Sequence, residues 1–246
     1  MKITIPAADF VRIASAVLPL VSKDATRRAL NSALFTASEP LDGAPPGGHV
    51  SRHFATVTAV GTDGHALATY DSVAFECASD DTGGDVLIPL DTLKDALKAA
   101  KACKGFGSVT VEPGRVSVSS GASFVCSDGH DLQFPPYADV MPKYTAEARS
   151  ARGAGASFFG LHVGTMKPIL ACIEGAGCGQ MLAIPGATED DPILWTGTTH
   201  YGTLTLVQMP CLILSRGEPD PFKAARDRAA LIAADCPKLA EVFAPN

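Results

Sequence analysis

This 246-residue chain lacks long hydrophobic runs, and no stretch reaches the length of a membrane span. A membrane partner is therefore not expected. The start, Met1-Lys2-Ile3-Thr4-Ile5, has no basic region followed by an apolar one, so no signal peptide is legible. Paired cysteines are also missing. The seven cysteines include no C-x-x-C pair, which argues against structural zinc, and their odd number argues against a disulfide framework. Reduced thiols in a cytoplasm are expected. Positive charge is not in excess: the formal net charge is -6. That excludes a uniformly basic nucleic-acid binder but leaves room for one basic face on an acidic body. There is no G-x-S-x-G, no Gly-rich phosphate loop and no H-E-x-x-H. The expectation is a protein with no catalytic residues, no metal and no cofactor, and so not an enzyme.

What is present is a globular composition, with 46% hydrophobic and 19% charged residues. A chain of this length can bury a sizeable core unaided. Ile3 and Ile5 alternate with polar neighbours, as in a strand. Phe10, Ile13, Ala14 and Val17 then recur at helical spacing over 8–18, with Pro6 in the first turn and Pro19 at the end. Strands follow at 30–36 and, within 55–70, on either side of Thr62-Asp63-Gly64. The Gly- and Pro-rich stretch 40–49 reads as a loop. Residues 85–143 repeat this order, with a strand at 86–89, a helix at 91–104 stopped by Gly105, and strands at 108–111, 116–119 and 123–127. After a linker at 144–156, a third copy starts with a strand at 158–162. A helix at 165–173 follows, with Met166, Ile169, Leu170 and Ile173 on one face. Strands come next at 181–184, 193–196 and 203–214, and 214–246 forms a helical tail. The repeat is one of element order, not of sequence.

Two motifs carry possible chemistry. On the second helix Leu93, Leu97 and Ala100 form a buried stripe. Lys94, Lys98 and Lys101 lie beside it at i, i+4 and i+7, and Lys104 continues the row. A solvated face and a phosphate-facing surface both fit this pattern. Thr62-Asp63-Gly64-His65 and Ser127-Asp128-Gly129-His130 repeat an Asp-Gly-His element. A metal or acid–base pair would need further ligands at useful spacing, so a tight turn between strands is the expected role.

Three segments of residues 1–143 together resemble the middle domain of the bacterial DNA polymerase III beta subunit, the sliding clamp. They are Leu30-Asn31-Ser32-Ala33-Leu34-Phe35, then Ala59-Val60-Gly61-Thr62-Asp63-Gly64-His65-Ala66-Leu67-Ala68, then Phe134-Pro135-Pro136-Tyr137-Ala138-Asp139-Val140-Met141-Pro142-Lys143. Asp191-Pro192-Ile193-Leu194 and Val207-Gln208-Met209-Pro210-Cys211-Leu212 resemble parts of the second half of that family's last domain. Some positions depart from the family pattern. Ala66 and Asp139 stand where basic residues are usual, and the closing segment reads Met209-Pro210-Cys211-Leu212-Ile213.

The resemblance implies an α+β, DNA-clamp fold of repeated half-domains, each a helix packed on antiparallel sheet. Residues 1–143 would form one clamp-like domain and 157–213 a partial one. It implies a processivity factor, a nucleoid-associated cytoplasmic homo-oligomer that holds double-stranded DNA without reading its sequence. Lys94, Lys98, Lys101 and Lys104 would face the phosphates. Peptides of a DNA polymerase and a clamp loader would dock in a cleft carried over by position onto Leu30, Thr62, Gly64, His65, Leu67, Pro135, Val140, Val207, Met209 and Pro210. The competing reading of the apolar members is ordinary core. A second function, a clamp-derived adaptor or competitor that never encircles DNA, stays open. In the tail, Leu239, Val242 and Phe243 either pack a helix onto the body or dock in the cleft.

Overall fold

The computed structural model describes residues 2–37, 41–42, 53–72, 75–77, 84–103, 105–125, 132–141, 163–184 and 191–209. The chain opens with β1 (Ile3–Pro6) and α1 (Ala7–Val17). Phe10, Ile13, Ala14 and Val17 are buried as their spacing predicts. Pro6 ends the strand, and the first helical N–H, that of Ala7, donates to the carbonyl of Gly107 instead of to a side-chain cap. Pro19 lies inside a short 3-10 turn, Leu18–Leu20, that extends the helix. Next come β2 (Ser32–Ala37), β3 (Leu41–Asp42), β4 (His53–Ala55), β5 (Val57–Thr62), β6 (Ala66–Ser72) and β7 (Phe75–Cys77). The expected loop at 40–49 thus begins with a strand. Leu41 and Asp42 pair with Phe54 and His53, and β4 pairs with β7, making a small three-stranded sheet.

The second unit is β8 (Asp85–Pro89), α2 (Leu90–Ala102), β9 (Ser108–Glu112), β10 (Arg115–Val118) and β11 (Ser123–Val125). It closes reciprocally on the first. β1 pairs with β9, β8 pairs with β2, and α1 packs beside α2. The third unit gives α3 (Val163–Ala176), β12 (Leu182–Ile184), β13 (Ile193–Thr199) and β14 (Gly202–Gln208). Its last strand joins the first unit, with β14 running antiparallel to β6 from Gly202↔Ser72 to Gln208↔Ala66. The result is one sheet in the order β1-β9-β10-β11 and a seven-stranded sheet in the order β12-β13-β14-β6-β5-β2-β8. The antiparallel expectation for the fold holds.

The main core lies between helices and sheets. Phe10 of α1 stacks on Phe35 of β2 with ring centroids 6.0 Å apart. α1 packs against both α2 and α3 and is the middle helix of the three. A Cβ at Gly175 of α3 would run into the Ser15 carbonyl of α1, so glycine at this position lets the two backbones meet. On α3, Ile169 is buried, and Met166 and Ile173 pack against the core, but Leu170 is 55% exposed, so the expected single apolar face splits. The other face of the large sheet carries a second, smaller core. There Leu34, Val60, Leu67, Leu87 and Val207 pack with Phe134, on the segment 132–141. No helix among the described residues is long and apolar enough to cross a membrane.

The strand expected at 158–162, the linker, the second Asp-Gly-His element, Lys104, Pro142-Lys143, Pro210 and the tail lie outside the described residues.

Candidate functional site

The Thr62-Asp63-Gly64-His65 turn links β5 to β6, and its own side chains hold it in shape. Asp63 Oδ1 accepts the N–H groups of His65 (2.8 Å) and Ala66 (2.9 Å). Thr62 Oγ1 donates to the Ala66 carbonyl at 2.7 Å and accepts from the Gly64 N–H. Gly64 has φ +90°, a left-handed conformation that an L side chain adopts only with strain. The Asp63 carboxylate is therefore engaged in building the turn, as the tight-turn reading expects. No group of three or more His, Cys, Asp or Glu placed to hold a metal occurs among the described residues.

Around this turn the fold gathers most of the cleft residues named from sequence. The Ser22 N–H is shared between the carbonyls of Leu30 (2.9 Å) and Thr62 (3.2 Å), which ties the approach to β2 against the turn. A Cβ built on Gly64 would lie 3.9 Å from Leu30 Cδ1 and 3.5 Å from Arg27 Nη1, so Leu30 borders the turn. Leu67 pairs with Thr62 on one side and with Val207 on the other. The Met209 N–H donates to the His65 carbonyl at 3.1 Å, which fixes the end of β14 beside the turn.

Exposure separates most of these residues into two sets, with Leu30 and Thr62 partly buried between them. Leu67 (6% exposed) and Val207 (1%) belong to the small core. Met209 (43%) and Val140 (49%) are open to solvent, as are Gly64, His65 and Pro135. Val140 follows the 3-10 turn Tyr137–Asp139, while Phe134 anchors the same segment in the small core, edge-on to Tyr137. Tyr137 and Met141 also pack there, partly exposed. Sequence reasoning did not include them among the site residues. Their spacing around Val140, at i-3 and i+1 within the Phe134–Met141 segment, was the available signal. Burial pushes the Tyr137 hydroxyl above the ordinary tyrosine range, so it stays a neutral hydrogen-bonding group.

The Lys row lies elsewhere, on the solvent side of α2. Leu93, Ala96, Leu97 and Ala100 are buried, and Lys94, Lys98 and Lys101 are exposed. Lys94 Nζ is 3.0 Å from Asp91 Oδ1, and Asp95 is exposed on the same helix, so the row is partly neutralised. Lys98 and Lys101 have no ion-pair partner among the described residues. On α1, Arg12 is engaged twice: 2.6 Å from Asp9 Oδ1 and 3.4 Å above the ring of Tyr201, from the turn between β13 and β14. That stacking ties the first unit to the third.

Helices packed side by side against antiparallel sheets, in units that close reciprocally, define the DNA-clamp fold. Solved structures of bacterial sliding clamps share it over most of this chain. The clamp of Caulobacter crescentus aligns with a TM-score of 0.61 at 17% identity, covering 85% of this chain and 65% of that one. That of Pseudomonas aeruginosa aligns at 0.62 and 16%, covering 86% and 66%. That of Bartonella birtlesii, solved bound to griselimycin, aligns at 0.58 and 16%, covering 85% and 66%. The chain thus spans just under two thirds of the length of these clamp subunits. No protein-family model matches the sequence, nor does any curated protein sequence. At this identity the likeness establishes the fold.

Proposed function

We propose that this chain is a sliding-clamp-like platform: it holds duplex DNA without sequence preference, binds short partner peptides and does no chemistry of its own. The observation that carries the reading is the fold, whose likeness to polymerase clamps covers about 85% of the chain. In this reading 1–143 is a clamp-like domain, 144–156 a linker, 157–213 a partial second domain and 214–246 a tail. The protein works in the cytoplasm as a homo-oligomer. Lys98 and Lys101 face phosphates with Lys94 beside them, and Lys104 extends the row. Such contacts are non-specific and weaken steeply with salt. Partner peptides of a polymerase or clamp loader lie over the Leu67 and Val207 floor, between the Gly64-His65 turn and the Val140 segment. Leu30, Thr62, Pro135, Met209 and Pro210 complete the rim. Methionine suits varied peptides because its side chain is flexible and polarisable.

A second reading, an adaptor or competitor that binds clamp-partner peptides without encircling DNA, draws support from α2 itself. Asp91 and Asp95 offset two of the three described lysines on that helix. One experiment separates the two. The triple change Lys94→Glu, Lys98→Glu, Lys101→Glu is expected to abolish retention on circular DNA and to flatten the salt dependence of binding, with peptide binding unchanged. If wild type shows no DNA retention at low salt, yet binds partner peptides, the adaptor reading stands instead.

A further inference from the structure

The first two units complete each other, whereas among the described residues the third has an unmatched side. β9 has a neighbour on both edges, β1 and β10. β12 follows α3 as β9 follows α2, but it is the terminal strand of its sheet among the described residues. α3 itself has one flank against α1, where Gly175 meets Ser15. At 3.6 residues per turn, Met166, Leu170 and Ile173 lie about 140–180° around the helix from Gly175. They follow i, i+4, i+7 spacing on the flank turned away from α1, the spacing of a helix-packing seam, with Met166 and Ile173 partly buried against the main core and Leu170 the exposed member. Leu170 in this row is 55% exposed, and Leu182 on the open strand β12 is 56% exposed. Lys167 and Glu174 are also exposed and border the row. They are equidistant from the midpoint between Leu170 and Ala171. In an antiparallel pair of α3 helices related by a two-fold axis through that midpoint, Lys167 of each copy faces Glu174 of the other.

We propose that this flank is the docking surface for a second copy of the chain, packed α3 against α3 about that axis. A two-fold interface must be self-complementary, and this one is so in both respects. The apolar row meets itself around Leu170, and the bordering charges meet their opposites. The arrangement also mirrors the way the first unit completes the second, with a true two-fold between chains in place of the internal repeat. It gives the homo-oligomer expectation a specific surface, and solution mass reads it independently of DNA or peptide binding.

The test is sedimentation equilibrium of the full chain over a range of concentrations. Wild type is expected to show a dimer. Lys167→Glu and Glu174→Lys alone each place like charges opposite one another twice, and each is expected to weaken association by about tenfold or more. An equimolar mixture of the two variants restores both opposite-charge pairs and should recover the dimer. A misfolding artefact would not produce that recovery. Leu170→Asp, at an exposed position, should keep the far-UV spectrum and lose the dimer. The proposal is overturned by a monomer at every concentration, by association that the single charge reversals leave unchanged, or by a mixture no tighter than either variant alone. A wild-type dimer that survives Leu170→Asp assigns the contact to another surface and overturns it too.

Discussion

Met209 ends β14 with its N–H bonded to the His65 carbonyl and its side chain 43% exposed. An exposed methionine held by its backbone is well placed to anchor a peptide and contributes little to the core. Met209→Ala is therefore expected to leave the fold's stability near wild type while weakening a labelled clamp-partner peptide about tenfold, as truncation of a binding anchor does. Fluorescence anisotropy reads the affinity and thermal melting reads the fold. Equal affinity in the folded variant would remove Met209 from the site. At this scale the sequence was informative about position and less so about exposure. Leu67 and Val207 were named with Met209 and Val140 as one cleft, yet the first two are buried in the small core and the last two are exposed. Burial on a sheet covered by a loop from elsewhere in the chain depends on non-local packing, which a local pattern does not encode.

The buried thiols offer a second residue-scale test. Burial pushes Cys172 well above the ordinary thiol range and raises Cys178 as well. A folded-state pKa raised above the unfolded value leaves stability intact below the unfolded value, about 8.5 for cysteine, and erodes it as pH rises beyond that. Cys172 alone should cost about 2 kcal/mol between pH 8.5 and 10, because each pH unit past the unfolded pKa counts about 1.4 kcal/mol. Tyr70, also raised by burial, adds to the loss from about pH 10 upward. Urea titrations at a series of pH values should show the midpoint falling above pH 8.5, and falling less steeply in Cys172→Ala. Identical slopes in the two proteins would remove Cys172 as the cause.

Among the elements, the helix crossings carry the architecture. α3 approaches α1 closely only because Gly175 has no side chain to meet the Ser15 carbonyl. Gly175→Val is expected to push α3 outward and destabilise the chain by about 1–3 kcal/mol, the usual range for overpacking. Chemical denaturation measures this, and a wild-type midpoint would show that the helices do not meet there in solution. Elements with a clear period were legible. α1 starts one residue before its predicted range and ends one residue short of it, because Phe10, Ile13, Ala14 and Val17 mark a buried face whatever surrounds them. α2 begins at Leu90, one residue before its predicted range, and ends at Ala102, two residues short of it, because Cys103 already turns extended ahead of Gly105. The short strand β3 was hidden, since Gly and Pro on its C-terminal side made the whole stretch read as a turn. The Lys row showed its spacing but not its pairing, because Asp91 reaches Lys94 only in the i, i+3 geometry that the helix creates.

On the scale of the molecule, the third unit is joined to the first by β6 and β14 over seven residue pairs. Three repeats of element order were visible in the sequence, but which edges they would join was not. Sheet edges meet through backbone groups that every residue carries, so the choice of partner leaves little trace in side-chain pattern. The joint is close. Tyr70 of β6 is fully buried, and Gly202 of β14 lies so near that a Cβ there would come within 2.9 Å of the ring. Arg12 reaches Tyr201 across the same boundary. Without β14, the outer edge of β6 would present unpaired N–H and C=O groups, the side of α1 that meets α3 would lose its cover, and Leu67 would lose Val207. A long bare edge beside exposed apolar side chains promotes association between chains. A fragment of residues 1–143 is therefore expected to melt at lower temperature than the full chain and to aggregate as its concentration rises, although both of its own units are complete. Thermal melts followed by circular dichroism, with light scattering on the same samples, decide it. If the fragment stays monomeric with the full chain's melting temperature, the third unit is an appendage. A lower melting temperature together with concentration-dependent scattering makes the three units one cooperative body held at the β6–β14 joint.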